Sequence, residues 1–166
     1  MKKIACINLI SLLTLVGWAL VSPSHAQLLP RKDLSAATAM AIAETAIATC
    51  KAMGYSISVT VVGRNAEPIV QIRGDNTGPH TSENSFRKAF TARTFRAPSG
   101  ALEDRIKKEP TLGLIHLNNV IAGRGALPIK VADDTIGAAG ASGAPGGDKD
   151  EACIQAGLDK IADQLK

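Results

Sequence analysis

The sequence predicts an α+β domain in which helices cover both faces of a mainly antiparallel sheet. Helical periodicity appears near the start of the domain, in residues 36–53, and again from Asp148 to the end of the chain. Between them lie two pairs of short segments with strand character, and a turn separates the members of each pair. Strands joined by hairpins run antiparallel, and helices placed before, between and after them can cover the sheet on both sides.

The first 26 residues predict a secretory signal peptide. Two lysines follow the first Met, residues 4–21 are almost entirely apolar, and Ser24-His25-Ala26 offers small residues where a signal peptidase reads them. We expect cleavage between Ala26 and Gln27. Residues 27–166 then form a single domain of a periplasmic or secreted protein.

The first half of this domain predicts helix, strand, strand, helix. Apolar residues at three- and four-residue spacing put one stripe of the first helix inward, and either Asp33 or Ser35 can cap it. The segments 56–62 and 69–73 alternate apolar and polar residues around the turn GRNAEP, as strands of a hairpin do. A polar loop then leads to a helix over about 82–96.

The second half adds a short helix, a second hairpin and a last helix. Pro98 precedes the short helix and Pro110 ends it. The segment 111–126 has no clear period, and we expect a loop with a short strand or turn there. LPIKV and TIGAAGAS form the second hairpin, and the last helix carries one apolar stripe, formed by Ile154, Leu158, Ile161 and Leu165.

The glycine-rich stretch before the last helix does not have the pattern of a phosphate-binding loop. Lys149 is followed by Asp150 rather than by Ser or Thr, and two aspartates in the first helical turn would repel a phosphate. These acids instead complement the helix dipole. Gly137, Gly140 and Gly143 leave parts of the strand without side chains, so another backbone, a helix, a second subunit or a flat ligand can approach closely.

Composition excludes some functions. Nineteen basic residues stand against fifteen acidic ones, and no basic run is interleaved with aromatics, so we expect no nucleic-acid partner. No HExxH, CxxC or GxSxG motif is present, and we assign no catalytic or metal-binding residue. The sequence favours a binding protein over an enzyme.

Three stretches together resemble the family of haem-binding proteins related to HbpS and GlcG, also known as the domain of unknown function 336. They are FRKAFTARTFRAPS, GALPIKVADDTIG and IGAAGASGAPGGDKDEACIQAGLDKI, and the resemblance extends over residues 34–165. Within the first stretch, Lys88, Ala89, Thr91 and Ala92 match the family's Lys-Ala-x-Thr-Ala pattern. The resemblance implies an αβα sandwich with a mainly antiparallel five-stranded sheet, profilin-like, that assembles into homo-oligomers, often octamers.

The resemblance also implies haem as the cofactor. Haem iron takes His, Met, Cys or Tyr, and its propionates pair with Arg or Lys. His80, in the polar loop before the second helix, is the leading iron ligand. His116 lies among Leu114, Ile115 and Leu117, where a structural role is favoured. The candidates for the propionates are Arg73, Lys88, Arg93 and Arg96, with solvated surface charge as the alternative.

Three classes of function follow from this resemblance. The first is an exported haem-binding protein that serves haem capture, transfer, or sensing of iron and oxidative stress. The second is a small-molecule-binding or enzymatic protein of organic-acid metabolism. The third is an oligomeric accessory to a membrane sensor or transporter.

The implied sandwich also bears on the cysteines. It places the first and last helices side by side on one face, so Cys50 and Cys153 can meet. In an oxidising compartment such a pair is expected to form a disulfide. The alternative is two buried thiols that pack as small apolar residues.

Overall fold

The computed structural model describes residues 28–166, and residues 32–166 form one compact unit. The predicted signal peptide and its cleavage site lie outside the described residues. Within the described part of the chain, no helix is both long and apolar enough to cross a membrane. The elements are α1 (Ala36–Ala52), β1 (Ser58–Val62), β2 (Pro68–Ile72), α2 (Thr81–Phe95), α3 (Ser99–Lys108), β3 (Ala126–Val131), β4 (Asp134–Ser142) and α4 (Gly147–Lys160), with short 3-10 helices at Gly113–His116 and Ala162–Leu165.

The sheet has four strands in the order β2-β1-β4-β3, and every neighbouring pair is antiparallel. Thr60 of β1 lies opposite Gln71 of β2 on one side and Gly140 of β4 on the other. The expected five-stranded sheet is therefore wrong for the described residues. The long segment between α3 and β3 adds no strand, because side chains of α2, rather than a neighbouring strand, bind its backbone at residues 120 and 121.

The main core lies between the sheet and the helix pair α1 and α4. Alternation along β1 points Val59 and Val61 into this core, where they meet Ile42 of α1 and Ile154 of α4, all nearly or fully buried. Burial of each such side chain contributes about 1.5–3 kcal/mol. Ser35 caps α1, and its Oγ accepts the Thr38 N–H at 3.1 Å.

The opposite face of the sheet packs against α2, partly through polar side chains. Ser58 Oγ lies 2.7 Å from Thr81 Oγ1, and Thr60 Oγ1 lies 2.8 Å from Ser85 Oγ. Gly140 allows the helix to approach, because a Cβ there would lie 2.5 Å from the Ser85 carbonyl oxygen. This is the close approach of another backbone that the glycine spacing predicted.

A disulfide joins α1 to α4 within the main core. Cys50 and Cys153 are both fully buried, their Cα atoms are 5.6 Å apart, and they are separated by 103 positions in sequence. A cross-link that closes so long a loop restricts the unfolded chain strongly. The structure thus holds the two outer helices together covalently.

We predict that the native protein contains no free thiol in residues 27–166. Alkylation followed by intact-mass measurement before and after reduction tests this, and two alkylated cysteines without reduction would contradict it. Replacing both cysteines with Ala should lower the free energy of unfolding by up to about 4–5 kcal/mol in the loop-entropy model. Denaturant unfolding of the double variant measures that loss.

Candidate functional site

Arg73 and His80 lie in the loop that connects β2 to α2. Both side chains are exposed, and Arg73 Nη2 donates to the Thr77 carbonyl at 3.1 Å. The His80 imidazole lies against Gly78. The structure therefore brings this predicted cation and this predicted iron ligand into one polar loop, without an exposed large apolar side chain between them.

Lys88 lies in the interior. Its Nζ donates to Asp150 Oδ2 at 2.8 Å and to the Ala141 carbonyl at 3.1 Å, and its side chain is 11% exposed. Asp150 Oδ1 in turn accepts the Ala144 N–H at 3.0 Å. The Lys88 ammonium is thus paired with an aspartate of α4, the residue that the sequence assigned to the helix dipole.

Gly125 closes over this ion pair. It has a φ of +128°, and a Cβ at this position would lie 2.9 Å from both Lys88 Nζ and the Asp150 Cβ. Glycine is required here both by the backbone conformation and by the absence of space. The pair therefore fixes the glycine-rich loop before α4 and the backbone that enters β3.

We predict that Lys88→Met lowers the free energy of unfolding by about 3–5 kcal/mol, because it leaves the Asp150 carboxylate buried without its cation. The double variant Lys88→Met/Asp150→Leu should regain much of this loss, although the Ala144 N–H loses its acceptor. Lys107→Met breaks the more exposed pair with Glu103 and should cost much less stability than Lys88→Met. Urea unfolding compares the variants, and equal losses at Lys88 and Lys107 would contradict the structural role of the buried pair.

Arg93 lies at the other end of α2 from His80. The two are thirteen positions apart, which corresponds to about 20 Å along a helix axis. Arg93 Nε is buried without a hydrogen-bond partner among the described residues. Burial lowers the pKa of Arg93, and the neighbouring Arg96 and Arg64 lower it further. Arg93 and His80 therefore do not belong to one compact site.

His116 ends the short 3-10 helix between α3 and β3 and is exposed. Its neighbours Ile115 and Leu117 are 37% and 49% exposed. The expectation that His116 has a structural role among apolar residues is not supported, since the structure buries neither the imidazole nor these neighbours. Ile115 and Leu117 are among the exposed large hydrophobic side chains of the described residues.

A small apolar cleft lies between the C-terminal end of α2 and α3. Its volume is about 150 Å³, and it is lined by Thr91, Phe95, Ala97, Pro98, Ala101, Leu102 and Arg105. Arg105 supplies the only charge among these lining residues. The cleft therefore combines an aromatic and aliphatic wall with one cation.

The backbone that follows His116 is attached to α2 by two side chains. Arg87 Nη2 donates to the Val120 carbonyl at 2.8 Å, and Ile121 N–H donates to Thr91 Oγ1 at 3.0 Å. Val120 itself is buried, and its N–H donates to the Leu117 carbonyl. Because Thr91 also lines the cleft, the structure joins the His116 segment to the cleft through one residue.

Glu151 is a buried polar group that the sequence did not indicate. Its Oε2 is buried without a hydrogen-bond partner among residues 28–166, although the residue as a whole remains partly exposed. Burial raises the pKa of Glu151, while Arg124 and a hydrogen bond from the Gly125 backbone oppose that rise. Its position beside Asp150 on α4 gave no sign of this environment.

We predict that Glu151→Gln is more stable than the parent at neutral pH. A carboxyl whose pKa is raised in the folded state favours folding below its unfolded pKa, and this contribution is lost as the pH rises through the folded pKa. The stability difference should therefore shrink toward pH 4. Thermal unfolding at several pH values tests it, with the exposed Glu44→Gln as control, and a difference independent of pH would contradict it.

The family model described as "Haem degrading protein HbpS-like" matches residues 34–159. A crystal structure of HbpS is 32% identical, with a TM-score of 0.76, and the match covers 80% of this chain and 93% of that chain. A double mutant of HbpS from Streptomyces reticuli is 31% identical, with the same TM-score, over 83% and 95% of the two chains. The curated proteins contain no match.

A more distant likeness shows the fold alone. The structure described as a PduOC–heme complex is 20% identical, with a TM-score of 0.72, and the match covers 78% of this chain and 96% of that chain.

The family match spans most of the chain, from the start of α1 almost to the end of α4, and includes His80, His116 and the buried pair of Lys88 and Asp150. The chain therefore belongs to the HbpS-like family.

Proposed function

We propose that the chain is an exported haem-binding protein that holds haem at the cleft between α2 and α3, with His116 as the iron ligand. The observation that carries this proposal is the exposed imidazole of His116 between the exposed side chains of Ile115 and Leu117. The membership in the HbpS-like family, whose description names haem, supports the ligand class.

The chemistry of haem explains the preference for this site. Haem presents an apolar macrocycle, two propionates and an iron that takes an axial ligand such as imidazole. The cleft offers Phe95, Pro98 and Leu102 to the macrocycle and Arg105 to a propionate. Pockets that enclose a ligand measure about 300–1,000 Å³. The cleft is smaller, so it would hold only part of the macrocycle.

His80 is a weaker candidate under the same criteria. Its loop is polar, with Asp75 and Asn76 exposed and no exposed large hydrophobic side chain among residues 73–80. A haem bound there would leave most of its macrocycle in water. Lys88 would serve a propionate only if the buried pair with Asp150 opened.

Degradation of bound haem is a second candidate function, favoured by the family description. Bound haem supplies iron redox chemistry, and the chain's contribution is to hold it. A Soret band that decays in the presence of ascorbate and oxygen, faster than for free haemin, would support this function. A stable band would favour capture or transfer. Organic-acid metabolism and the role of accessory to a membrane sensor or transporter remain alternatives if wild-type protein does not bind haemin.

Export and assembly belong to the same proposal. The signal-peptide pattern supports export, and the family resemblance supports a homo-oligomer that is often an octamer. Protein recovered from the exported fraction should have the intact mass of residues 27–166, as expected if its first residue is Gln27. Light scattering at micromolar concentration should give a multiple of the monomer mass. A mass that includes residues 1–26 would contradict cleavage of the signal peptide. A monomer mass would contradict the homo-oligomer.

We predict that His116→Ala weakens haemin binding at least about tenfold, or 1.4 kcal/mol, and shifts the Soret band, because the iron loses its protein ligand. His80→Ala is the matched control, since it removes an exposed imidazole elsewhere, and should change neither. Haemin titration followed by absorbance measures both. If His80→Ala alone shifts the band, the site lies in the loop before α2, and if the wild type shows no Soret band, haem binding itself is refuted.

A further inference from the structure

We infer that Thr91 is a positioning residue for the proposed haem site, because it fixes the segment that carries His116 to the helix that forms the cleft. The inference rests on the proposed function and deepens it. Thr91 belongs to the Lys-Ala-x-Thr-Ala stretch of α2 and is fully buried.

The hydrogen bonds of Thr91 are directed to two different parts of the chain. Its hydroxyl donates to the Arg87 carbonyl, one turn earlier in α2, at 2.8 Å. The same oxygen accepts the Ile121 N–H at 3.0 Å, and the Ile121 carbonyl lies 3.3 Å away. The Thr91 hydroxyl is therefore the hydrogen-bond partner of the Ile121 backbone, a role that a neighbouring strand would have in a sheet.

The segment before Ile121 has few other attachments. Ile115, His116 and Leu117 are exposed, and the next buried residue is Val120, whose carbonyl accepts from Arg87. Loss of the Thr91 hydroxyl would leave the Ile121 N–H without an acceptor and release one of two side-chain attachments. His116 would then lose its fixed position relative to the cleft.

The geometry separates this role from a simple wall of the cleft. Thr91 also lines the cleft, where only its shape and apolar surface would matter. Thr91→Val keeps that shape and adds apolar surface, so a wall residue would bind haem as well as before. A positioning residue would lose ligation instead. Thr91→Ser keeps the hydroxyl and should restore it.

The test compares haemin titration of Thr91→Val, Thr91→Ser and Thr60→Val. Thr60 is an equally buried hydroxyl on β1, where it meets Ser85 of α2 and Gln71 of β2. Its loss therefore controls for general destabilisation. We expect Thr91→Val to bind haemin roughly tenfold more weakly and to show the Soret position of His116→Ala. Thr91→Ser and Thr60→Val should keep the wild-type band.

A second readout does not require haem. Hydrogen exchange of the amides of residues 113–121 should accelerate in Thr91→Val and stay unchanged in Thr60→Val. If Thr91→Val does not fold, the same measurements are made on Arg87→Met, which removes the other side-chain attachment of the segment. The inference would be overturned if Thr91→Val kept both the exchange rates and the Soret band of the wild type. It would also be overturned if Thr60→Val showed the same changes as Thr91→Val. If the wild-type protein binds no haemin but Thr91→Val still shows faster exchange than the wild type, only the proposed function is refuted.

Discussion

Three parts of the chain meet at the ion pair between Lys88 and Asp150: the middle of α2, the end of β4 and the first turn of α4. Two charges removed from water are costly, and their attraction compensates only where the geometry is good and the remaining polar atoms are satisfied. Here the carbonyl of Ala141 and the N–H of Ala144 meet that requirement. The position of α2 on the sheet and the path of the glycine-rich loop therefore depend on one another.

The two faces of the sheet are held in different ways. On one face α1 and α4 are packed through branched aliphatic side chains and a buried disulfide between Cys50 and Cys153. On the other face α2 uses hydroxyl pairs near its start and alanines such as Ala89 and Ala92 toward its end. Small and polar side chains permit a short distance between helix and sheet. They also make α2 dependent on directional bonds, which include the buried ion pair of Lys88 and Asp150.

The helices and hairpins could be predicted because their signals are local. The apolar stripe of α1 and the alternation of β1 repeat within a few residues, and the turns between strands contain their own breakers. The stripe of α2 that faces the sheet was harder to recognise, because Thr81, Ser85, Lys88 and Ala92 keep the helical spacing with mostly polar side chains. A pattern search that counts only apolar residues assigns Lys88 to the surface.

For the segment 111–126 the sequence predicted only a loop with a short strand or turn, for a related reason. Its backbone at residues 120 and 121 is bound by Arg87 and Thr91, thirty or more positions earlier, and contacts at that separation cannot be predicted from local sequence. The sheet of four strands instead of five follows from the same contacts. Glu151 was equally hidden, since its buried oxygen is an outcome of packing around Arg124 and Gly125.

These features divide the proposed site between α2, which supplies Phe95, and the separate segment that carries His116. Phe95 belongs to α2, whose position is fixed by the sheet and by Asp150, whereas Ala97 and Pro98 of the cleft lie in the turn between α2 and α3. His116 belongs to a segment whose path is set by two side chains and one buried Val120. The exposed imidazole is therefore held through the backbone at residues 120 and 121 rather than by packing of its own side chain. Thr91 lines that wall and also binds the backbone of Ile121, so it links the wall to the segment that carries His116.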